Sequence, residues 1–259
     1  MALETYSAFY YGHTVTNTNN YIDFNEGAGQ ITAIMKVGSY SLTGFATEIS
    51  RAMNAASAID YSTSINRTTG VITITAASGT FKLLGASGTH AGIGFFALAG
   101  FNLVDTGFSI SHAGNYRSGL AWFPQMRGQD YVSFEDQQGA IDGSVKKSAS
   151  GNVEAVKFGN EKIMDINFRF NTNIPQQGAC WIRSDLNGIE NLRNFLIYAT
   201  TKADLELMLD KNNPDSYLKV ILESTPESKD GLAFKLKEQY SVGLPGYFDT
   251  GILKFRLLS

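Results

Sequence analysis

Hydrophobic positions in the first part of the chain follow two periods, one typical of a helix and one typical of strands. Apolar residues recur at steps of three and four from Leu42 to Ala56, and this spacing predicts an amphipathic helix over 43–56 with Thr43 as its N-cap. A short apolar helix or tight loop is expected within 88–101. Alternating or continuous apolar runs predict strands at 21–25, 30–36, 61–65, 71–75 and 80–84. Together these elements predict a small α+β module.

The second part of the chain also alternates between apolar and polar positions. A stripe of apolar residues from Leu186 to Ala199 predicts a helix, with Asp185 or Asn187 as its N-cap. Strands are predicted at 163–170, 205–209, 217–223 and 251–258. The pattern therefore predicts an antiparallel sheet or barrel over 130–259, closed by the last strand and with one helix packed across it.

Charged residues are distributed unevenly along the chain. Only 17% of the 259 residues are charged, and residues 1–114 hold 4 of the 21 Lys and Arg and 6 of the 24 Asp and Glu. A change in surface character of this kind indicates two domains. We expect one domain at 1–114 and another at 131–259, joined by a linker at 115–130 in which glycines and Pro124 interrupt regular patterns. The fold class expected for the whole chain is α+β, mainly β.

The overall composition excludes several classes of protein. Aromatic residues make up 12% of the chain, which is unlike a disordered protein, and the net charge of −3 offers no basic surface for nucleic acid. The single cysteine, Cys180, excludes an intramolecular disulfide. No signal peptide is visible, and the longest apolar run, 93–101, is too short to cross a membrane. We therefore expect a soluble protein, made in a cytoplasm, with no membrane partner.

Motifs that carry chemistry are missing from the sequence. The glycine-rich stretch 85–94 follows a predicted strand, but it matches neither the dinucleotide-binding motif nor the P-loop. His90 and His112 could approach each other, yet no third metal ligand accompanies them, and neither they nor His13 have an obvious acid partner beside a nucleophile. We expect no enzyme, with no catalytic, cofactor-binding or metal-binding residues and no cofactor.

Paired carboxylates that could cleave glycosides occur at two places. Glu135 and Asp136 are adjacent, and Asp204 and Glu206 lie two positions apart at the start of the strand predicted at 205–209. Sequence spacing does not settle such a pair, because its two acids come together only in the fold. Solvated surface acids are the interpretation that we favour for all four residues.

Aromatic residues cluster at the start of the chain, at Tyr6, Phe9, Tyr10 and Tyr11, and again at Trp122 beside the predicted linker. Exposed aromatic side chains would suit a carbohydrate-binding or adhesin module. We favour instead an aromatic arm that packs against a neighbouring domain or subunit.

The stretch 20–101 contains an ordered series of segments along about 80 residues. These segments are Tyr21-Ile-Asp-Phe-Asn-Glu, Val37-Gly-Ser-Tyr-Ser-Leu-Thr-Gly-Phe-Ala-Thr-Glu-Ile, Ala52-Met-Asn-Ala-Ala, Asn66-Arg-Thr-Thr-Gly-Val-Ile-Thr-Ile-Thr and Phe81-Lys-Leu-Leu. In this order they resemble a module found in tail and other virion proteins of bacteriophages. The resemblance implies a virion protein without specifying which part of the particle it forms.

The second part resembles the tail-tube-related fold of distal tail and baseplate-adaptor proteins. The resembling segments, in order, are 156–161, 163–170, 187–198, 205–210, 218–223 and 247–256. The resemblance implies a structural subunit of a ring near the distal end of the tail, which joins the tail tube to the baseplate or tip. Because the minimal tube fold lacks the N-terminal module, a tail tube or tail terminator subunit stays open as an alternative.

The resemblance also implies partners and a location. The partners would be copies of the chain in a ring, usually a hexamer, and the proteins of the tail tube and the baseplate or tip. The location would be the virion tail, assembled in the host cytoplasm. DNA would pass through a net-negative lumen without specific binding. Edge strands such as 163–170 or 251–258 are expected to pair across subunits.

Overall fold

The computed structural model describes residues 8–92, 94–122, 131–147, 153–168, 189–208, 213, 216–238 and 248–258. The helices in these ranges are α1 (Leu42–Ala56), α2 (Phe95–Leu98) and α3 (Ile189–Ala199). The strands of the first half are β1 (Ala8–Tyr11), β2 (His13–Val15), β3 (Tyr21–Asn25), β4 (Gln30–Ile34), β5 (Gly38–Tyr40), β6 (Tyr61–Asn66), β7 (Val71–Ala76), β8 (Lys82–Leu83), β9 (Ser111–Ala113) and β10 (Leu120–Trp122). Those of the second half are β11 (Tyr131–Lys147), β12 (Val153–Asn167), β13 (Leu205–Met208), β14 (Tyr217–Ser224), β15 (Lys237–Glu238), β16 (Phe248–Asp249) and β17 (Ile252–Leu257). The predicted fold class, α+β and mainly β, is confirmed.

The largest sheet has seven antiparallel strands in the order β10-β1-β13-β14-β17-β12-β11. It combines strands from both parts of the chain, since Tyr10 of β1 lies opposite Ala121 of β10 on one side and Glu206 of β13 on the other. The division of the chain at 115–130 stays a prediction.

Four smaller antiparallel sheets accompany it, in the orders β4-β3-β8, β6-β7-β9, β2-β5 and β15-β16. Helix α1 packs mainly against β6 and β4. Its apolar stripe, from Leu42 to Met53, is buried as the spacing predicted.

Two hydrophobic cores meet at β13, whose four side chains are all buried. Leu205 and Leu207 belong to the core under α3, whereas Met208 belongs to the core around α1. Because successive side chains of a strand point to opposite faces, the two cores lie on opposite faces of the seven-stranded sheet.

The predicted N-cap of α1 is wrong by two residues. Ser41, with extended backbone, is the cap, and its hydroxyl accepts a hydrogen bond from the N–H of Gly44 at 3.1 Å. Thr43 lies inside the helix and has a different partner, described below. The cap positions predicted for the second helix, Asp185 and Asn187, lie outside the described residues.

The strands expected at the sheet edge lie in its interior. β17 pairs with β14 on one side and β12 on the other, and β12 continues to β11. The expectation that 163–170 or 251–258 offers an edge to another subunit is therefore wrong, because neighbouring strands already occupy both sides of their described residues. Within the described strands, β10 and β11 form the two edges.

Candidate functional site

The β11–β12 hairpin extends well beyond the seven-stranded sheet. β12 pairs with β17 only from Ile163 onward, whereas its pairing with β11 continues outward to Lys147↔Val153. We call residues 136–147 and 153–162 the distal ribbon. Among the described strands, the two of the distal ribbon pair only with each other. At roughly 3.4 Å per residue, about twelve residues of strand make the distal ribbon about 40 Å long.

The distal ribbon has two long outer edges. In a two-stranded ribbon every hydrogen bond of the ladder points inward, so each strand keeps a row of outward N–H and C=O groups. The register shifts between Asp136 and Ile141 and again before Gly143, and irregularities of this kind increase the local twist. A two-stranded hairpin on its own is marginally stable in water. The distal ribbon is therefore the described element that most needs a partner.

Helix α1 covers the outer edge of β4. Arg51 donates from Nη2 to the carbonyl of Ile34 at 3.0 Å, and Glu48 accepts from the N–H of Lys36 at 2.6 Å. Arg51 and Glu48 also form an ion pair at 2.6 Å. Burial raises the pKa of Glu48, but the hydrogen bonds from Arg51 and Lys36 outweigh burial and hold that pKa below its usual value. Side chains of the helix thus occupy the positions that a neighbouring strand would need.

The same helix covers the outer edge of β6. The side-chain amide of Asn54 accepts from the N–H of Tyr61 at 2.5 Å and donates to its carbonyl at 3.1 Å, as a paired strand would do. The hydroxyl of Thr63 donates to the carbonyl of Ala46 at 2.7 Å. One helix therefore protects two sheet edges, which is a known defence against edge-to-edge association.

A buried ion pair joins the first part of the chain to the seven-stranded sheet. Glu206 of β13 is fully buried, and its Oε1 accepts a hydrogen bond from Nη1 of Arg67, in the turn between β6 and β7. Its Oε2 accepts from the N–H and the hydroxyl of Thr43, at 2.9 and 2.6 Å. The Arg67 guanidinium lies 3.6 Å from the ring centroid of Tyr217. The backbone carbonyl of Arg67 accepts a hydrogen bond from the Tyr10 hydroxyl at 2.5 Å. We call these five residues the buried charge cluster.

The buried charge cluster explains the position of Thr43 in α1. Its N–H is one of those that a helix leaves unpaired at its start, and Glu206 supplies both an acceptor and a favourable negative charge. Burial raises the pKa of Tyr10 to about 12, so its hydroxyl remains a donor. The interpretation of Glu206 as a solvated surface acid is wrong, since both of its oxygens are bound inside the fold.

The glycine-rich stretch 85–94 folds back onto the protein's own carboxylates. Asp105 accepts from the N–H groups of Ala86 and Ser87, both at 2.9 Å, and Asp23 accepts from the N–H of His90 at 2.6 Å. Hydrogen bonds from Ser87 and Ala86 lower the pKa of Asp105. In a phosphate-binding loop such N–H groups face the ligand. Here they hold the loop against the sheet.

His90 and His112, which could have shared a metal ion, contact different partners. The ring of His90 stacks on Tyr21, with centroids 4.0 Å apart, and its Nδ1 lies 3.2 Å from Oδ1 of Asp23. His112 contacts the carbonyl of Phe81 through Nε2 at 2.8 Å. Among the residues that the structure describes, no group of three or more His, Cys, Asp or Glu is placed to hold a metal ion.

His13 is a buried residue of the first core. Its Nε2 lies 3.2 Å from the hydroxyl of Ser118, and its ring packs 5.2 Å from that of Phe45. Burial lowers the pKa of His13 to about 4, so the ring is neutral at neutral pH. Its surroundings indicate a packing role.

The aromatic residues of β1 are buried, so they cannot form an exposed platform for a sugar. Phe9 packs against Phe195 of α3, with ring centroids 4.6 Å apart, and Tyr11 packs against the same ring at 5.5 Å. Tyr10 belongs to the core on the opposite face of the sheet. The aromatic arm packs within its own chain.

Several candidate residues from the sequence lie outside the part of the chain that the structure describes. These are Tyr6, Cys180 and the side chains of Trp122, Glu135 and Asp136. Asp204 is half-buried just before β13. No helix in the described part of the chain is both long and apolar enough to span a membrane.

No protein-family model matches the chain, and no curated protein matches it. Function is therefore inferred from the strand edges, the buried charge cluster and the polar groups that the fold already uses.

Proposed function

We propose that the chain is a structural subunit of a bacteriophage tail, without catalytic activity, that forms a ring near the distal end and joins the tail tube to the baseplate or tip. The distal ribbon is the observation that carries this proposal. It extends about 40 Å past the last strand that pairs with it, which suits an element that binds a neighbouring subunit. The resemblance of the second part to distal tail and baseplate-adaptor proteins supplies the kind of assembly.

The internal use of acidic groups supports a structural role. Glu206 is bound by Arg67 and Thr43, and Asp105 and Asp23 are bound by amides of the glycine-rich stretch. A general acid or base needs a position within hydrogen-bond reach of a substrate. These buried or bound carboxylates serve the fold instead.

The proposed partners are copies of this chain, the tail tube, and the baseplate or tip proteins. A ring needs two different surfaces on each copy, and it closes when the repeated rotation returns to its start. The resembling proteins usually form hexamers. A net charge of −3 suits a lumen through which DNA passes without specific binding. The proposed location is the virion tail, assembled in the host cytoplasm.

A tail tube or tail terminator subunit is the alternative within the same class, and it differs in position along the tail. An adhesin or carbohydrate-binding module has less support, because Phe9, Tyr10 and Tyr11 are buried.

Electron microscopy of the purified full chain, together with its mass in solution, tests the proposal. We expect rings that form as concentration rises. A variant in which Asn-Gly replaces residues 138–160 keeps the pairing of Asp136 with Lys162 and ends the hairpin in a favourable two-residue turn. It should keep a cooperative thermal unfolding transition and stay monomeric, whereas Glu190→Gln on the exposed face of α3 should still assemble.

Position in the particle is tested on virions. Antibody labelling should place the chain at the distal end of the tail. A chain that is monomeric at every concentration and missing from virions would contradict the proposal.

A further inference from the structure

The segment 103–113 forms an edge of the first part of the chain. It runs antiparallel to β7 and β8, with Ser109 and Phe81 exchanging two backbone hydrogen bonds at 2.9 Å and Ala76 donating to Ile110 at 2.9 Å. Residues of β9 continue the pairing with β7. All of these ladder bonds are on one side of the segment. We call 103–113 the open edge.

The outer side of the open edge differs from the outer sides of β4 and β6. No side chain of α1 reaches it. Among the described residues, one side chain binds a backbone group on this outer side: the hydroxyl of Ser109, in the segment itself, accepts a hydrogen bond from the N–H of Ser111 at 3.3 Å. The module therefore has two edges that a helix protects and a third that is left without such protection.

Large apolar side chains project from the open edge into solvent. The exposed fractions are 49% for Leu103, 57% for Val104, 52% for Phe108 and 52% for Ile110. Single exposed apolar residues are normal, but four within eight positions along an unprotected edge mark an interaction surface. The one charged residue of the segment, Asp105, is already bound by the amides of Ala86 and Ser87.

We propose that the open edge binds the distal ribbon of a second copy of this chain. The inference rests on the proposed self-assembly and names the surfaces that make it. Both elements are strand edges that the described chain leaves unpaired, and each chain has one of each.

Apolar side chains at the open edge favour an uncharged stretch of strand as the occupant. Eight of the 22 residues of the distal ribbon are charged, but its stretch 137–141 carries no charge. At the open edge, Lys82 lies 5.5 Å from the ring centroid of Phe108. Strand addition also provides backbone hydrogen bonds for both partners. Because ribbon and open edge are different surfaces, the contact is heterologous and can repeat around a ring.

Charge substitutions on the open edge test the contact. Phe108→Lys and Ile110→Lys place an ammonium group where an apolar contact is proposed, and each should weaken assembly about tenfold or more. Ile197→Lys on α3 is the matched control, since Ile197 is also 52% exposed. It should assemble like the unmodified chain. Ile110→Lys and Ile197→Lys should leave thermal unfolding nearly unchanged, because both positions are exposed. Phe108→Lys should lower the unfolding temperature slightly, since it replaces a ring that contacts Lys82 with a second ammonium group.

A mixing experiment distinguishes a ribbon-to-edge contact from other contacts. Phe108→Lys retains the ribbon, and the variant with Asn-Gly in place of 138–160 retains the open edge. If the ribbon binds the edge, an equimolar mixture gives one-to-one heterodimers, visible by analytical ultracentrifugation, and no larger species. If the edge binds another edge, the variant without the ribbon dimerises by itself, and if the edge binds an unrelated protein, the mixture stays monomeric. Either result overturns the inference.

The remaining outcomes separate this inference from the proposed function. Rings of undiminished stability from Phe108→Lys would overturn the open-edge contact and leave the proposed function standing. An unmodified chain that forms no assembly at any concentration would overturn both.

Discussion

The strand edges beside α1 and the open edge lie in the same module, yet the chain treats them in opposite ways. At β4 and β6, polar side chains of the helix bind backbone groups that another strand would otherwise use. At 103–113 the described residues place no helix on the outer side, and Phe108 and Ile110 face solvent. Protection of edges is thus selective. An edge that the fold could have covered but did not is a place to look for a partner.

The acidic side chains and the distal ribbon differ in the same way: the former have partners within the chain, and the latter has no described partner along its outer edges. Glu206, Asp23 and Asp105 are each bound by several donors of the chain itself. The distal ribbon has long rows of backbone groups without a described partner. A subunit whose carboxylates are bound internally, and whose distal ribbon and open edge have no strand partner on their outer sides among the described residues, is suited to assembly.

The largest expected loss of stability comes from removing Glu206, the buried carboxylate that pairs with Arg67. Glu206→Ala leaves the guanidinium of Arg67 buried without its carboxylate, and loss of one partner of a buried pair costs about 3–5 kcal/mol. Chemical denaturation should show this loss. Glu190→Ala removes an exposed partner of Arg193 and should cost only about 0–1 kcal/mol. Equal losses in the two variants would contradict a special role for the buried charge cluster.

Acidification should lower the free energy of unfolding, because His13 is buried in its neutral form. Burial lowers the pKa of His13 from 6.5 to about 4, so between these values the unfolded chain binds a proton that the folded chain does not. Stability is then complete above pH 6.5 and falls as pH drops toward 4, by about 3 kcal/mol for this residue. Denaturation curves at several pH values measure the slope. His13→Gln should flatten it between pH 6.5 and 4, and an unchanged slope would rule out this source.

The smallest expected loss of stability comes from a substitution that uncovers the outer edge of β6. Asn54→Ala removes both hydrogen bonds to Tyr61 and should cost on the order of 1–2 kcal/mol. It also exposes the backbone of β6, so concentration-dependent association should increase. Light scattering beside thermal unfolding measures both effects, and no gain in association would mean that the amide does not protect the edge.

Local pattern predicted the two longer helices and nine of the seventeen described strands, but it did not predict β1, β2, β5, β9, β10, β11, β15 or β16. The apolar spacing from Leu42 to Met53 located α1, and the alternation around Leu253 and Phe255 located β17. Ser41 caps α1 two residues before the predicted Thr43, and the residue that binds Thr43, Glu206, is 163 positions away in sequence. Local periodicity has no access to such a contact.

Sheet order and burial of polar residues were beyond sequence reasoning for the same reason. The position of β17 between β14 and β12, and of β1 beside β13, depends on pairings far apart in sequence. One signal for Glu206 was present, since it is a single acid among apolar residues in Leu205-Glu-Leu-Met. An acid flanked in sequence by apolar residues of a strand indicates a strand that is buried on both faces. A buried acid needs a partner.

Hydrogen exchange on the full chain, compared between a dilute and an assembled sample, is the most direct measurement of assembly through strand edges. Amides of the distal ribbon and of the open edge should exchange quickly when dilute and become protected on assembly. Amides of Lys36 and Tyr61 should keep the same protection in both samples, since side chains of α1 already bind them. Assembled particles in which both the distal ribbon and the open edge still exchange at their dilute rates would contradict assembly through these surfaces.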